Sequence, residues 1–182
     1  MKSFLNPRIA ALSGLILLAA LSRLLPHPPN FAPITAMALF GGAYFSDKRL
    51  AFIIPLIAMF LSDLVLGFHS TQLVVYGCFM LITVIGFRLK DNKSVSEIAM
   101  ASVAGSIIFF TLTNFAVWLF GSLYPFNFSG LIACFAAAIP FYDNSIFSSM
   151  MLNTFMGDAF FCTIFFGVFA LAEQKIPALV RK

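Results

Sequence analysis

The sequence predicts an all-α membrane protein: a bundle of six transmembrane helices with a short extra helix before the last span. Three observations predict it. First, 61% of the 182 residues are hydrophobic and only 10% charged, against roughly 45–50% and about 25% in soluble domains. Too little polar surface is left to coat a water-soluble globule. Second, the apolar residues fall in runs close to the ~20 residues that a spanning helix needs. Third, when those runs are laid in alternation, the basic residues collect on one side. The same composition excludes a disordered chain, a disulfide-rich scaffold and a nucleic-acid binder, and the net charge of +4 marks one face of a bilayer. No internal repeat or linker divides the chain, so residues 1–182 read as a single transmembrane domain.

Ile9–Leu25 is the first span, ended by Pro26-His27-Pro28-Pro29, through which a helix cannot continue. Phe31–Phe45 is a shorter second span, closed by Asp47-Lys48-Arg49. Leu50–Phe68 is the third, with Pro55 near its start and Asp63 inside it. Leu73–Phe87 is the fourth, before the polar run Arg88–Glu97. Ile98–Phe120 is the fifth and ends at Gly121-Ser122. Leu131–Ile139 is too short to span and is interrupted by Pro140, so it reads as a surface or re-entrant helix. Ile146–Ala172 is the last span. A cleaved signal peptide is the alternative for the first segment, since Lys2 and Arg8 precede an apolar run and Ala20-Leu21-Ser22 resembles a cleavage site. Cleavage would leave five spans and break the agreement between charge and topology.

With the N-terminus inside, Lys2, Arg8, Lys48, Arg49, Arg88, Lys90, Lys93, Lys175, Arg181 and Lys182 share the cytoplasmic side. That leaves one of the 11 basic residues, Arg23, toward the outside. Both termini are then cytoplasmic. Both histidines, His27 and His69, fall in outer connections. So do Tyr124 and Tyr142, near the outer boundary, for which interfacial anchoring is the plainer role.

Asp63, Asp143 and Asp158 lie outside or within the membrane. Asp63 stands five residues before the end of its span, about 7 Å below the surface at 1.5 Å per residue. Asp158 lies nearer the midplane. A carboxylate there costs at least about 2.5 kcal/mol to insert and should face the bundle with a partner. Its bland role is a hydrogen bond between helices, to Asn114 or Thr111. Thr111, Asn114 and Trp118 follow i, i+3, i+7 spacing and would share one face. Cys78, Cys134 and Cys162 read first as small packing residues; for Cys78 and Cys134 a disulfide is the alternative. Cys78 and His27 aimed at one cavity would suit a transition metal. Ala10 and Gly14, Ala38 and Gly42, and Ala101 and Gly105 have the spacing of close helix contacts. The chain has no G-x-x-x-x-G-K-[ST], H-E-x-x-H or G-x-S-x-G motif, which leaves an enzyme as a minority reading.

Several short runs carry a resemblance: Leu24-Leu25-Pro26-His27-Pro28-Pro29-Asn30-Phe31, then Ala36-Met37-Ala38-Leu39-Phe40-Gly41-Gly42. Ser62-Asp63-Leu64, Val75-Tyr76-Gly77, Thr113-Asn114-Phe115, Ala138-Ile139-Pro140-Phe141 and Gly157-Asp158 add to it. Together they resemble a small bacterial membrane family that is similar to the S components, the substrate-binding subunits, of energy-coupling-factor transporters. The resemblance implies a six-helix bundle in the bacterial inner membrane that binds a vitamin in an outward-facing cavity. It also implies docking, through small residues of the first helix near Ala10 and Gly14, onto a membrane coupling subunit with two ATPases. The cobalamin-transporting relatives are most similar. By that likeness Cys78 would be an axial cobalt ligand, with His27 near the opposite side, and any removal of an upper ligand such as cyanide would be incidental to transport. The chain is expected to have no cofactor of its own, cobalamin being transported cargo.

The expected substrate-binding set is His27, Asn30, Asp63, His69, Tyr76, Cys78, Asn114 and Asp158. Two other classes remain open. An accessory subunit would have no cavity larger than a few waters. A membrane enzyme using Asp63 and His69 as an acid–base pair would need those groups about 3 Å apart or bridged by one water.

Overall fold

The computed structural model describes residues 6–139 and 149–180. Lys2, Pro140, Phe141, Tyr142, Asp143, Arg181, Lys182 and the expected start of the last span at Ile146 lie outside the described residues. Within them the chain is all-helical: α1 (Pro7–Ser22), α2 (Ile34–Tyr44), α3 (Lys48–Leu66), α4 (Gln72–Arg88), α5 (Val95–Phe120), α6 (Phe128–Ala137) and α7 (Met150–Lys175), then a 3-10 turn at Pro177–Leu179. Three of these, α3, α5 and α7, are long and apolar enough to cross a membrane, while α1, α2, α4 and α6 are apolar but shorter.

Local chemistry accounts for where the helices begin. Asn6, Asp47, Ser94, Asn127 and Ser149 each accept a backbone N–H of the following turn, which satisfies a donor that has no partner within the helix. Helix α3 stops at Gly67, whose φ of 89° lies in the left-handed region open to glycine. Helix α1 ends at Ser22, and Leu24 and Leu25 close short turns back onto Leu21 and Ser22 before the chain reaches Pro26.

The second span departs from expectation. Helix α2 has only 11 residues, about 16 Å of rise, roughly half of a ~30 Å hydrocarbon core. Pro33 sets its start, and Ala32, preceding a proline, is biased toward extended backbone. All 11 residues are buried, enclosed by α1, α3, α4, α5 and α7. A helix apolar on every face belongs inside a bundle. Phe40 lies at the centre of an aromatic cluster with Tyr44, Phe165, Phe166 and Phe169, at ring separations of 4.7–5.7 Å.

Close approach of α2 to α4 depends on two glycines. A Cβ at Gly42 would stand 2.4 Å from the Thr83 carbonyl oxygen, and one at Gly86 2.6 Å from that of Leu39. The Ala38–Gly42 spacing thus marks a real contact. Ala101–Gly105 does too, since a Cβ at Gly105 would come within 2.6 Å of Thr35. Around Gly14 nothing lies within 4 Å.

The basic residues collect at one end of the bundle. Arg8 of α1 pairs with Glu173 of α7 at 2.5 Å and donates to the Leu179 carbonyl. Its guanidinium lies over the Tyr44 and Phe169 rings. Lys93 also lies over Tyr44, and Lys48 and Lys90 over Phe87. These contacts bring the start of α1, α3 and α5 together with the end of α2, α4 and α7. Arg23, His27 and His69 stand at the opposite end.

Gly42→Ala is expected to lower the melting temperature of the detergent-solubilised protein, since the added methyl meets backbone and overpacking costs about 1–3 kcal/mol. Gly14→Ala and Gly77→Ala, whose new methyls meet nothing within 4 Å, should melt with the wild type. Thermal unfolding followed by circular dichroism compares the three.

Candidate functional site

The 27–33 segment is irregular, and α7 holds it in place. Asn30 turns the chain, with a φ of 62° that Asn tolerates better than most residues, and Phe31 N–H donates to the Pro28 carbonyl. Asn153 of α7 donates its side-chain N–H to the Pro29 carbonyl at 2.8 Å. A Cβ on Gly157 would come within 3.1 Å of the Phe31 Cα, so this glycine admits the loop backbone against the helix. Gly157 is seven residues into α7, which puts Phe31 about 10 Å below the start of that helix.

Above this segment lies a cavity of about 400 Å3, at the end opposite the basic cluster. Arg23, His27, Asn30 and Ala32 line it from the α1–α2 connection, and Ile34 and Thr35 from the start of α2. Leu66, His69, Thr71 and Val75 close a second side. Phe109, Thr113, Asn114 and Val117 come from α5, and Met150, Thr154 and Asp158 from α7.

Two carboxylates near the cavity differ in their partners. Asp63 is buried and saturated: Arg23 pairs with it at 2.7 Å, the Tyr76 hydroxyl donates at 2.7 Å, and the Gln72 amide donates as well. Arg23 also donates to Ser62 at 2.5 Å. This group ties the end of α1 to α3 and α4, and its charges cancel. Asp158 is 3% exposed and forms no ion pair among the described residues. Its carboxylate accepts from the Ser106 hydroxyl of α5 at 2.6 Å, and Thr35 lines the same cavity.

Of the eight residues expected to bind substrate, His27, Asn30, His69, Asn114 and Asp158 line the cavity. Asp63 and Tyr76 do not line it; they hold Arg23, which does. Cys78 is buried on α4 and belongs to a different, apolar groove with Val74, Gly77, Leu81 and Leu112. The structure therefore does not bring Cys78 and His27 to one cavity: of α4 the cavity takes Val75, and Cys78, one turn further along the helix, lines the separate groove. All three cysteines are free, so Cys78 and Cys134 form no disulfide. No group of three or more His, Cys, Asp or Glu able to hold a metal occurs among the described residues.

The expected partners of Asp158 also change. Thr111 is exposed, Asn114 donates to its own helix at Phe110, and Trp118 donates to the Pro125 carbonyl while stacking on Phe126. Ser106, a turn or more away, supplies the bond. Asp63 and His69 do not pair either, since the His69 ring is bonded to the Thr71 hydroxyl at 2.9 Å. Arg23, Thr35 and Thr154 are lining residues that the motifs did not single out, and Thr113, though part of the Thr113-Asn114-Phe115 run, was not among the residues expected to bind. For Arg23 the signal was available: among the described residues it is the one basic residue at the end away from the basic cluster, with Asp63 the acid at matching depth.

The chain belongs to a family described as a family of unknown function, DUF6580, which matches residues 3–179. No curated protein and no solved structure matches it.

Asp63→Asn leaves Arg23 buried without its counter-charge, a change that costs about 3–5 kcal/mol when the pair is desolvated. A marked fall in melting temperature is expected. The double variant Arg23→Met with Asp63→Leu should recover most of it, because it removes both charges together. Melting of the singles and the double in one detergent checks the coupling.

Proposed function

We propose that the chain is a substrate-binding membrane protein for micronutrient uptake, which captures a vitamin-sized solute in a cavity open to the outer face of a bacterial inner membrane. The observation that carries this reading is the 400 Å3 cavity, lined from the α1–α2 and α3–α4 connections, α2, α5 and α7. Its volume lies within the range of about 300–1,000 Å3 usual for small-molecule sites. A water occupies about 30 Å3 of liquid, so the space is far larger than an accessory subunit without a ligand requires. The cavity also stands at the end with few basic residues, which the charge asymmetry assigns to the outside.

The proposed topology is a bundle of six spans with both termini cytoplasmic. Helices α1, α3, α4, α5 and α7 each cross. Helix α2 and the irregular segment before it cross together as a broken span. Non-helical backbone at membrane depth is tolerated where protein buries it or where it lines a cavity, and discontinuous spans recur at the binding sites of transporters. In this arrangement α6 is the short extra helix before the last span. A coupling subunit would dock on α1, where Ala10 is exposed and the space around Gly14 is open.

A complete corrinoid, a macrocycle with a nucleotide arm, outgrows the present cavity, and Cys78 faces elsewhere. The proposed occupant is accordingly a smaller micronutrient. Cobalamin binding would require the outer connections to move apart and would proceed without the Cys78 thiolate.

Mass spectrometry of protein purified from its native membrane is expected to find a co-purifying small molecule. Asn114→Leu should lower its occupancy about tenfold, the effect of leaving one polar ligand group unpaired. A protein that carries nothing and retains no added solute would overturn the reading. In parallel, cyanocobalamin retained through gel filtration should be unaffected by Cys78→Ala. A base-off spectrum that the variant abolishes would restore cobalt ligation and discard the smaller solute.

A further inference from the structure

We infer that the solute carries a cationic nitrogen, a protonated amine or related ammonium, that pairs with Asp158 at the floor of the cavity. The inference rests on the solute-binding reading and assigns its chemical class. Asp158 is almost fully buried, lines the cavity and has no cationic partner among the described residues. The other full charges at the site cancel, because Arg23 is engaged by Asp63 at 2.7 Å. His27 and His69 are exposed and bonded to the Pro28 carbonyl and the Thr71 hydroxyl. The cavity floor therefore carries one carboxyl group with no counter-charge beside it, and a cationic solute would supply one.

The surroundings of Asp158 suit an ammonium. Ser106 donates to the carboxylate, Thr35 lines the cavity as well, and the Thr154 hydroxyl stands one turn earlier on α7, where it lines the cavity and donates to the Met150 carbonyl. A hydroxyl that donates to one acceptor keeps lone pairs for another donor. An N–H3+ group at the carboxylate would thus find both its counter-charge and neighbouring oxygen acceptors. Desolvation makes such a pair favourable only if both partners are held and hydrogen-bonded. An alcohol of the same shape gains no ion pair here, and a carboxylate is repelled.

The test uses three small isosteric probes, benzylammonium, benzyl alcohol and benzoate, titrated calorimetrically into the purified full-length protein in detergent. Benzylammonium should bind at least about tenfold tighter than the alcohol, with benzoate weakest. In Asp158→Asn, which keeps the bond to Ser106, the preference should vanish. Equal binding of the three, or a preference for benzoate, overturns the cationic assignment and leaves the solute-binding reading intact. If none of the probes binds, the co-purified solute decides: a cation at neutral pH upholds the inference, and a neutral or anionic one overturns it. Failure of every probe to bind, together with the absence of any carried molecule, overturns both readings. The charge series on the wild type stands even if the variant fails to fold.

Discussion

The enclosure of α2 by protein on every side is the constraint on which the rest of the bundle depends. A helix of 11 residues cannot cross a hydrocarbon core alone. Its free carbonyl and N–H ends must find partners inside the protein, because lipid offers none. At the upper end the chain answers with an irregular segment drawn down between the helices. Asn153 holds the Pro29 carbonyl, and Gly157 leaves room for Phe31. The cavity is the space left above a helix that stops halfway. Its floor is where α2 starts, which explains why Thr35 and Asp158 sit there together.

Two arginines hold the two ends of α1, by opposite means. At the basic end Arg8 lies over two aromatic rings and joins Glu173 and the Leu179 carbonyl, tying α1 to the last helix and the turn beyond it. At the other end Arg23 is locked to Asp63, with Ser62, Gln72 and Tyr76 completing the set. Both are desolvated pairs, whose net contribution to stability over an apolar alternative is small. Their consequence is geometric. A pair that is costly to break fixes the end of α1 against α3 and α4, and with it the start of the loop that lines the cavity.

Hydropathy alone located every helix, and the proline run, Asp47-Lys48-Arg49 and Gly121-Ser122 placed the ends of α1, α2 and α5 near those observed. Depth and facing were less legible. The segment from Phe31 to Phe45 is apolar throughout, so nothing in its pattern shows that Pro33 rather than Phe31 opens the helix, or that all its faces are buried. Helix α4 is apolar on most faces, and the side on which Cys78 falls depends on which neighbour comes closest. That was settled by Gly42 and Gly86, whose contact could be suspected from spacing but not oriented by it. The partner of Asp158 was misjudged for the same reason. Thr111 and Asn114 match a helical period, yet only the packing of α5 against α7 brings Ser106 to the carboxylate. His27, Asn30, His69, Asn114 and Asp158 could be named because polar residues in an apolar chain are few and costly. The threonines around them are cheap enough to occur anywhere.

The hydrogen bond between Ser106 and Asp158 joins the linings of two spaces in the bundle. Asp158 lines the cavity opposite the basic end, while Ser106 also lines a groove of about 450 Å3 between α5 and α7, which reaches Lys93 at the basic end. One side-chain contact thus connects the two linings. Ser106 lies within 3.0 Å of the Ser102 carbonyl as well, and its single proton serves one acceptor at a time. When Asp158 is charged, the hydroxyl must donate to it. A protonated carboxyl instead donates to the Ser106 oxygen and frees the hydroxyl proton for the Ser102 carbonyl, and a bound cation leaves the Ser106 bond in place, so the α5–α7 contact persists in each state. The direction of this one bond, rather than its presence, follows the charge at the cavity floor.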